Sequence, residues 1–223
     1  LDEALVEQLF DRFTCENPAY WDARRNRRPC AHIPRSVCSL EEHDGMLSIP
    51  RGAVAELVTC QDGEDQALLP DTTLIDETLL PPLSEHSADM ALTATLRDYQ
   101  AHAVDAMVLA REGVLVAPTG SGKTLLALGL IARLRTPSLI LVHTKVLLRQ
   151  TVERIRDFLG VEAGVIGDGK WEPSDLTVAT VQSLRLQGVD ALTQRFGLVI
   201  LDEAHHCPAY SFRSVLALFP ARY

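Results

Sequence analysis

The sequence lacks the features that mark membrane proteins and disulfide-stabilised proteins. No apolar run approaches the ~18 residues of a membrane-spanning helix, and no charged and then apolar leader opens the chain. The five cysteines form no C-x-x-C pair, and their odd number argues against a disulfide framework. We therefore expect a soluble, cytoplasmic protein with no membrane partner.

Basic residues are missing from one long stretch. Between Gly52 and Leu96 there are nine acidic side chains and not one Lys or Arg. Residues 1–90 carry seven basic and eighteen acidic side chains, net −11, whereas residues 91–223 carry fourteen and twelve, net +2. This shift predicts a small acidic α+β accessory domain over residues 1–90 and a second domain over residues 91–223. The acidic stretch itself is a poor surface for nucleic acid, because phosphates repel carboxylates.

The first domain carries one arginine-rich stretch. Residues 20–35 place five arginines beside Tyr20 and Trp21. Arginines interleaved with aromatic residues suit a nucleic-acid backbone with stacked bases, and a solvated loop paired with nearby acids is the alternative. Nucleic-acid or partner binding is therefore the hypothesis for this domain. Four residues could also hold zinc, at spacings that fit no familiar site: Cys30, His32, Cys38 and His43.

Secondary-structure signals elsewhere in the first domain are short. Apolar residues at helical spacing predict a helix over residues 1–13. Residues 45–50 predict a strand, and residues 51–60 predict a short helix. Prolines break the acidic residues 62–89 into loops, with one candidate strand at residues 67–69.

The strongest signal is the octapeptide APTGSGKT at residues 117–124, between apolar runs at residues 113–116 and 125–132. A short β-type run, a glycine-rich turn and a helical run in this order are typical of a phosphate-binding loop. Two glycines let backbone N–H groups approach an anion, and the helix N-terminus adds a partial positive charge. Lys123 can reach the β- and γ-phosphates, and Thr124 can hold Mg²⁺. The candidate nucleotide-binding residues of the loop are Pro118, Thr119, Gly120, Ser121, Gly122, Lys123 and Thr124.

Gln100 precedes this loop by seventeen residues, in a helix that begins with residues 96–100. After one helix and one strand, the chain can bring Gln100 to the mouth of the loop. An amide offers a donor and an acceptor together, which suits the N6 and N7 edge of adenine. A surface glutamine at a helix start is the alternative.

Several apolar runs predict the strands of a parallel sheet flanked by helices. They lie at residues 138–143, 165–166, 176–179 and 198–201. In open α/β sheets, ligands bind at the carboxyl ends of the strands. Short polar groups there suit a phosphodiester backbone, and an ordinary helix cap is the alternative for each. These groups lie in the segments His143–Lys145, Gly167–Lys170 and Thr180–Ser183. A helix is predicted over residues 145–160 and a closing helix over residues 211–219.

Asp202 and Glu203 follow directly after the run at residues 198–201, seventy-nine residues beyond Lys123. In this architecture a carboxylate after the strand lies beside the phosphate-binding loop. Asp202 can hold Mg²⁺, usually through water, and Glu203 can orient and deprotonate an attacking water. Two adjacent acids would be ordinary on a surface, so the assignment depends on their pairing with the loop.

Together, APTGSGKT, the tetrad DEAH at residues 202–205, LRDYQ from Leu96 and TVQSL from Thr180 resemble the first RecA-like domain of a superfamily 2 DEAD/DEAH-box helicase. The resemblance is to XPB-type helicases and to their relatives among restriction-enzyme motor subunits, and it covers residues 94–223. It implies a RecA-like P-loop domain that uses ATP and Mg²⁺ and acts on DNA or RNA.

The resemblance also implies a role for each matched residue. Gln100 is expected to read adenine, and Lys123, Asp202 and Glu203 are expected to be catalytic. His205 is expected to link hydrolysis to movement. The residues implied to face the nucleic-acid strand are Thr144, Lys145, Gly167, Thr180 and Gln182.

The chain departs from this family by an absence. Family members continue with a Ser/Thr-Ala-Thr motif and a second RecA-like domain bearing arginine fingers, and neither is present here. Because the chain also begins at Leu1 and stops at Tyr223, we expect a fragment that binds nucleotide weakly, hydrolyses it slowly at best and does not unwind. The intact protein is expected to be an ATP-driven DNA helicase or translocase. The alternatives are a remodeller of protein–DNA complexes that separates no strands, a nucleotide-switched binding module, the motor subunit of a restriction-type enzyme and a small-molecule kinase.

Overall fold

A computed structural model describes residues 3–43, 46–49, 78–82, 90–187, 189, 191–204 and 215–223. The chain forms two compact units, Leu1–Leu74 and Ile75–Tyr223. The helix predicted at residues 51–60 and the strand predicted at residues 67–69 lie outside the described residues. His205 and residues 211–214, at the start of the predicted closing helix, also lie outside them.

The described part of the first unit contains two helices and two small antiparallel sheets. Its elements are α1 (Glu3–Arg12), β1 (Thr14–Glu16), α2 (Pro18–Arg25), β2 (Ser36–Cys38), β3 (Glu41–His43) and β4 (Met46–Ser48). Strand β1 pairs with β2, and β3 pairs with β4. Leu9 and Leu40 form the buried centre. No group of three or more metal-ligating side chains occurs among the residues that the structure describes.

Helix α2 was not anticipated from the sequence, because its eight residues carry no long apolar period. Its start signal is nevertheless readable: the side-chain oxygen of Asn17 accepts a hydrogen bond from the Ala19 N–H at 3.0 Å. Pro18 follows at the first helical position, where its missing N–H leaves no partner unsatisfied. An Asn-Pro pair before a short polar segment therefore marks this helix.

The second unit is built around a mixed five-stranded sheet with the order β7-β6-β8-β5-β9. The helices that are fully described in it are α3 (Asp98–Ala110), α4 (Lys123–Leu134), α5 (Lys145–Leu159) and α6 (Val181–Gln187). Its strands are β5 (Ser138–Val142), β6 (Gly164–Gly167), β7 (Lys170–Glu172), β8 (Leu176–Thr180) and β9 (Leu198–Leu201). Four strands run parallel, as predicted, and only β7 is antiparallel, at the edge beside β6.

Strand β5 shows how the sheet is covered on both faces. All five of its residues are buried. Ile140 and Val142 pack with residues of α3, α4 and α5, whereas Leu139 and Leu141 pack on the opposite face with Phe196 and with residues of α6. Side chains alternate between the faces of a strand, so a run without polar positions predicts burial on both sides. The expected α/β layering is confirmed, and no helix in the described ranges is long and apolar enough to span a membrane.

The strand predicted immediately before the phosphate-binding loop is absent. Residues 113–116 are described but form no strand, and Val114 and Val116 are 77% and 90% exposed. A strand satisfies its backbone groups through a neighbour, and none of the described strands lies beside this run. The outer edge of β9 is instead paired with Tyr223. The Tyr223 N–H donates to the Gly197 carbonyl at 2.9 Å, and the Tyr223 carbonyl accepts from the Val199 N–H at 2.9 Å. An apolar run alone was therefore not sufficient to form a strand.

Leu128 and Leu109 offer a matched test of this core. Leu128 of α4 is fully buried, whereas Leu109 of α3 is 83% exposed. We expect Leu128→Ala to lower the free energy of unfolding by about 2–5 kcal/mol, because it removes buried contacts and leaves a cavity. Leu109→Ala should change it by less than about 0.5 kcal/mol. Urea unfolding followed by circular dichroism measures both, and equal losses would contradict the described packing.

Candidate functional site

The carboxyl ends of the parallel strands define one edge of the sheet. Strands β5, β6, β8 and β9 run in the same direction, so the residues that follow them lie at this edge. Helix α4 returns to the start of β5 through only three residues, 135–137, so its N-terminus lies at the same edge. The fold therefore brings the glycine-rich loop, the strand-end polar residues and Asp202 to one side of the sheet.

Two glycines give the loop its shape. Gly120 and Gly122 have φ angles of +82° and +80°, in the left-handed region that side chains disfavour. A Cβ at residue 122 would lie 2.7 Å from the Gln100 side-chain nitrogen, so a larger residue would displace Gln100 from its contact with the loop. At Gly120 no atom lies within 4 Å of a Cβ position. The loop is closely packed on its inner side and open on its outer side.

The start of α4 is electrically suited to an anion. The first N–H groups of a helix have no partner within the helix and carry a partial positive charge. Lys123 is exposed, and its Nζ donates to the Ala117 carbonyl at 3.2 Å. No carboxylate among the described residues forms an ion pair with it. Lys123 and Thr124 therefore present a cation and a hydroxyl at an open helix N-terminus.

Ser121 provides an independent sign that the loop takes a ligand. Its side-chain oxygen is buried and has no hydrogen-bond partner among the described residues. A buried polar atom without a partner is costly, and a bound polar group would remove that cost. A cleft of about 440 Å³ lies against the loop, lined also by Tyr99, Ala103 and Leu126. The exposed Lys123 and the Ser121 hydroxyl suit phosphate groups, and the exposed Thr124 hydroxyl suits Mg²⁺.

Gln100 contacts the loop itself. It is 4% exposed, its Nε2 donates to the Ser121 carbonyl at 2.9 Å, and its Oε1 accepts from the Arg97 N–H at 2.9 Å. Both ends of the amide are thus engaged within the protein. Its predicted contact with adenine stays a prediction, and in this structure Gln100 ties the start of α3 to the loop.

Tyr99 is a residue that the sequence analysis missed. Its hydroxyl donates to the same Ser121 carbonyl, at 2.9 Å, while about half of the residue remains exposed. The signal that could have found it is its position beside Gln100 in LRDYQ. Two adjacent residues of one helix therefore hold a single carbonyl between Gly120 and Gly122.

Asp202 and Glu203 are ordered by the backbone around them. The Asp202 N–H donates to the Leu141 carbonyl at 3.0 Å, and its Oδ1 accepts from the Glu203 N–H at 3.0 Å. Glu203 has a φ of +56°, which is uncommon for a residue with a side chain and costs about 1 kcal/mol or more. The turn after β9 is therefore held in a conformation that its residues do not prefer. The catalytic roles of both acids stay predictions.

The strand-end residues are two helix caps, one buried glycine and two exposed groups. Thr144 caps α5, because its Oγ1 accepts from the Leu147 N–H at 3.2 Å. Thr180 is buried and caps α6, because its Oγ1 accepts from the Ser183 N–H at 3.3 Å. Gly167 is buried and has a φ of +138°. A Cβ added at this position would lie 3.0 Å from the Leu148 side chain. Lys145 and Gln182 are exposed. Contact of all five with nucleic acid stays a prediction.

Asp168 gathers two cations at this edge. It accepts from the Arg149 Nε at 2.9 Å, and the Lys145 Nζ lies 3.3 Å from its other oxygen. The hydrogen bond from Arg149, followed by that from Lys145, lowers the pKa of the Asp168 carboxyl. Gly167 and Gly169, both with positive φ, flank Asp168 in the turn between β6 and β7. The positive charge that the sequence places at this edge is therefore partly neutralised within the protein.

Comparison with known proteins gives the family to which the second unit is similar. A family model described as type III restriction enzyme, res subunit, matches residues 93–223. The DNA 3'-5' translocase XPB2 of Sulfurisphaera tokodaii is 38% identical over 128 residues, 57% of this chain and 29% of that protein. The putative ATP-dependent helicase IRC3 of Saccharomyces cerevisiae is 40% identical over 148 residues, 56% of this chain and 21% of that protein.

A third relative extends the comparison. The putative DNA 3'-5' helicase Rad25 of Haloarcula marismortui is 32% identical over 126 residues, 54% of this chain and 20% of that protein. The chain thus spans 20% to 29% of the length of these three curated relatives. The match is to one segment of much longer proteins.

Tyr99→Phe tests the carbonyl contact at Ser121. The substitution removes one hydrogen bond, worth about 0.5–1.5 kcal/mol, and keeps the ring. We expect it to weaken the binding of ATP by about 2- to 12-fold, because 1.4 kcal/mol corresponds to a factor of ten. Titration with a fluorescent ATP analogue measures the affinity. Tyr20→Phe, in the first unit, is the matched control and should leave the ATP affinity unchanged. An unaltered ATP affinity in Tyr99→Phe would refute the role of Tyr99 in holding the loop.

The pKa of Asp168 provides a test of the ion pair. We expect its carboxyl to titrate below the ordinary value of 3.8, and Arg149→Gln should move the midpoint upward. Because the pKa is lowered in the folded state, the stabilisation is complete above pH 3.8 and is lost as the pH falls through the lowered pKa. NMR titration of the side-chain carboxyl carbon measures the midpoint. Arg156→Gln is the control on the same helix, because Arg156 pairs with Glu162 instead.

Proposed function

Because the chain belongs to the family described as type III restriction enzyme, res subunit, we propose that its second unit is the first motor half of an ATP-dependent DNA helicase or translocase. The relatives are named as translocases and helicases, which supports an enzyme that hydrolyses ATP. One observation carries the proposal: the open glycine-rich loop and the acids after β9 lie at the same edge of the sheet. This is the arrangement that ATP hydrolysis requires.

The loop at residues 118–124 holds the triphosphate of ATP. Backbone N–H groups at the start of α4 surround the phosphates, because the glycines leave the outer side of the loop open. Lys123 exchanges its contact with the Ala117 carbonyl for the β- and γ-phosphates. The Ser121 hydroxyl gains the partner that it lacks among the described residues. Thr124 and Asp202 hold Mg²⁺, which when bound neutralises charge on the phosphates.

Glu203 supplies the base for hydrolysis. It follows Asp202 directly after β9, and its own φ is positive. Asp202 is fixed by its hydrogen bonds to Leu141 and Glu203, so its carboxylate needs little rearrangement on binding. Glu203 orients the attacking water and removes its proton. Gln100 and Tyr99 keep the loop in place through the Ser121 carbonyl.

The nucleic acid lies along the same edge, against the strand-end residues. Lys145 and Gln182 are exposed there and can contact phosphates directly. Thr144, Gly167 and Thr180 shape the ends of β5, β6 and β8 beneath that surface. The partner is the backbone of DNA, with RNA as the alternative. His205 couples hydrolysis to movement in this scheme.

The complete activity requires more than the chain described. The matched segment covers only 29% of the first relative, and a second RecA-like domain bearing an arginine finger would complete the site. Such an arginine is worth about 10³ to 10⁵ in rate. The 223 residues alone are therefore proposed to bind nucleotide, to hydrolyse it slowly at best and not to unwind DNA. A nucleotide-switched remodeller and a restriction-type motor subunit are the alternatives for the longer protein.

Glu203→Gln and Lys123→Ala separate binding from hydrolysis. We expect Glu203→Gln to retain ATP affinity within about threefold and to lose at least about 100-fold in hydrolysis rate, because it removes only the general base. Lys123→Ala should weaken ATP binding itself by about 10-fold or more, because it removes the cation at the phosphates. The measurements are ATP-analogue titration and phosphate release, on this chain and on a longer protein that contains it.

Lys170→Ala is the matched control, since Lys170 is exposed on β7 and away from the loop in sequence. It should leave ATP affinity unchanged. Equal ATP affinity in wild type and Lys123→Ala would refute the nucleotide site. Strand-displacement and translocation assays on the longer protein distinguish a helicase from a remodeller that separates no strands.

A further inference from the structure

The first unit carries a dense arginine cluster that the proposed motor does not use. Residues 18–35 contain five arginines and one aspartate, a local net charge of +4 in a chain of net charge −9. All five arginines are exposed. They are Arg24, Arg25, Arg27, Arg28 and Arg35, and together they are called the arginine cluster below.

Asn17 closes the segment into a compact loop. Its backbone N–H donates to the Arg35 carbonyl at 2.9 Å, and its Nδ2 donates to the Pro34 carbonyl at 2.9 Å. Its Oδ1 caps α2 through the Ala19 N–H at 3.0 Å. The far end of the segment is thereby tied to the start of the helix. Arg35 lies beside α2 although eleven positions separate it from Arg24.

Trp21 gathers two members of the cluster. The guanidinium carbons of Arg24 and Arg35 each lie 5.6 Å from the centre of its ring. Tyr20 meets the same ring edge-on, with the ring centres 5.4 Å apart. Cation–π attraction favours this placement and limits the motion of both arginines. Two cations are thus held at one aromatic surface.

Within the part of the chain that the structure describes, the cluster has no counterion. None of its arginines forms an ion pair with a described residue, and the nearby Asp22 accepts from the Asn26 side chain at 2.9 Å. A helix C-terminus favours cations only within its last turn, which accounts for Arg24 and Arg25. Arg27 has a φ of +53°, a conformation that usually takes glycine. The arginines therefore repel one another, and Arg27 has a strained backbone, while no described carboxylate pairs with the cluster.

We propose that the arginine cluster binds the phosphodiester backbone of a nucleic acid, at a site in addition to the edge of the sheet. Each strand of a duplex carries one phosphate charge per ~3.4 Å of helix axis, so several neighbouring arginines can each meet a phosphate of the same strand. The guanidinium group binds phosphate with two parallel hydrogen bonds. Trp21 holds two of the arginines in place, and the partly exposed Tyr20 adds aromatic surface for a base. Binding at this site requires neither ATP nor its hydrolysis.

The test uses a variant that leaves the Trp21 contacts intact. Arg25→Gln, Arg27→Gln and Arg28→Gln are combined, and fluorescence anisotropy measures binding to a short labelled DNA strand and to a duplex without nucleotide. Removing three exposed ionic contacts should weaken binding by about 3- to 100-fold. The slope of log affinity against log salt should become shallower by about 0.9 for each lost duplex phosphate contact. Lysine at the three positions should restore most of the affinity, since it keeps the charge.

The control carries the same charge change in the second unit. It combines Arg111→Gln, Arg133→Gln and Arg135→Gln, at the ends of α3 and α4 away from the loop. It should bind DNA like the wild type. An unchanged affinity in the first variant, or an equal loss in the control, would overturn the proposal. Displacement of DNA by a polyglutamate peptide as readily as by unlabelled DNA would instead assign the cluster to an acidic polypeptide.

ATP affinity distinguishes this proposal from the motor assignment. The first variant should bind ATP like the wild type, because its substitutions lie in the other unit. Its circular dichroism melting curve shows whether the unit stays folded. A chain that binds DNA through the cluster but binds no ATP would refute the motor assignment alone.

Discussion

The parallel alignment of β5 with β8 and β9 is the constraint on which the site depends. Parallel strands end on the same side, so every turn after a strand opens toward a common edge. The short connection from α4 to β5 sends the helix back over the sheet and brings its positive end to that edge. Because β5 is fully buried and apolar on both faces, a shift in its register would expose the core. The hydrophobic core therefore determines where the polar site lies.

Within this frame, a single carbonyl connects the first helix of the second unit to its loop. Tyr99 and Gln100 both donate to Ser121, whose neighbours on either side are glycines with positive φ. The loop can take up its left-handed turns only where side chains are absent, and Gln100 occupies the space that a side chain at residue 122 would need. The proposed nucleotide site and the packing of α3 are thus linked through two hydrogen bonds.

Charge is distributed differently in the two units. At the edge of the sheet, Asp168 pairs with both Lys145 and Arg149, so the positive charge of the predicted nucleic-acid surface is partly neutralised before any ligand binds. The arginine cluster of the first unit has no such partner among the described residues. Cations that neutralise phosphates set the affinity for nucleic acid and its dependence on salt. The two proposed contacts therefore differ in how much of their positive charge is already paired within the described residues.

The sequence by itself determined the parts that depend on neighbouring residues. The run Leu198–Leu201 is a strand as predicted, the helix after Thr144 begins where predicted, and the glycines of the loop stand where left-handed turns are needed. The spacing of apolar residues and the φ angles that each residue can adopt are properties of the sequence alone.

The tertiary structure decided what depends on a distant partner. Residues 113–116 form no strand, because no described strand lies beside them. The Gln100 amide donates to the Ser121 carbonyl within the protein, and Thr144 and Thr180 cap the helices that follow them. Hydrogen-bond partners and charge pairs such as Asp168 with Arg149 are set by the packing of separate elements, which no local pattern contains.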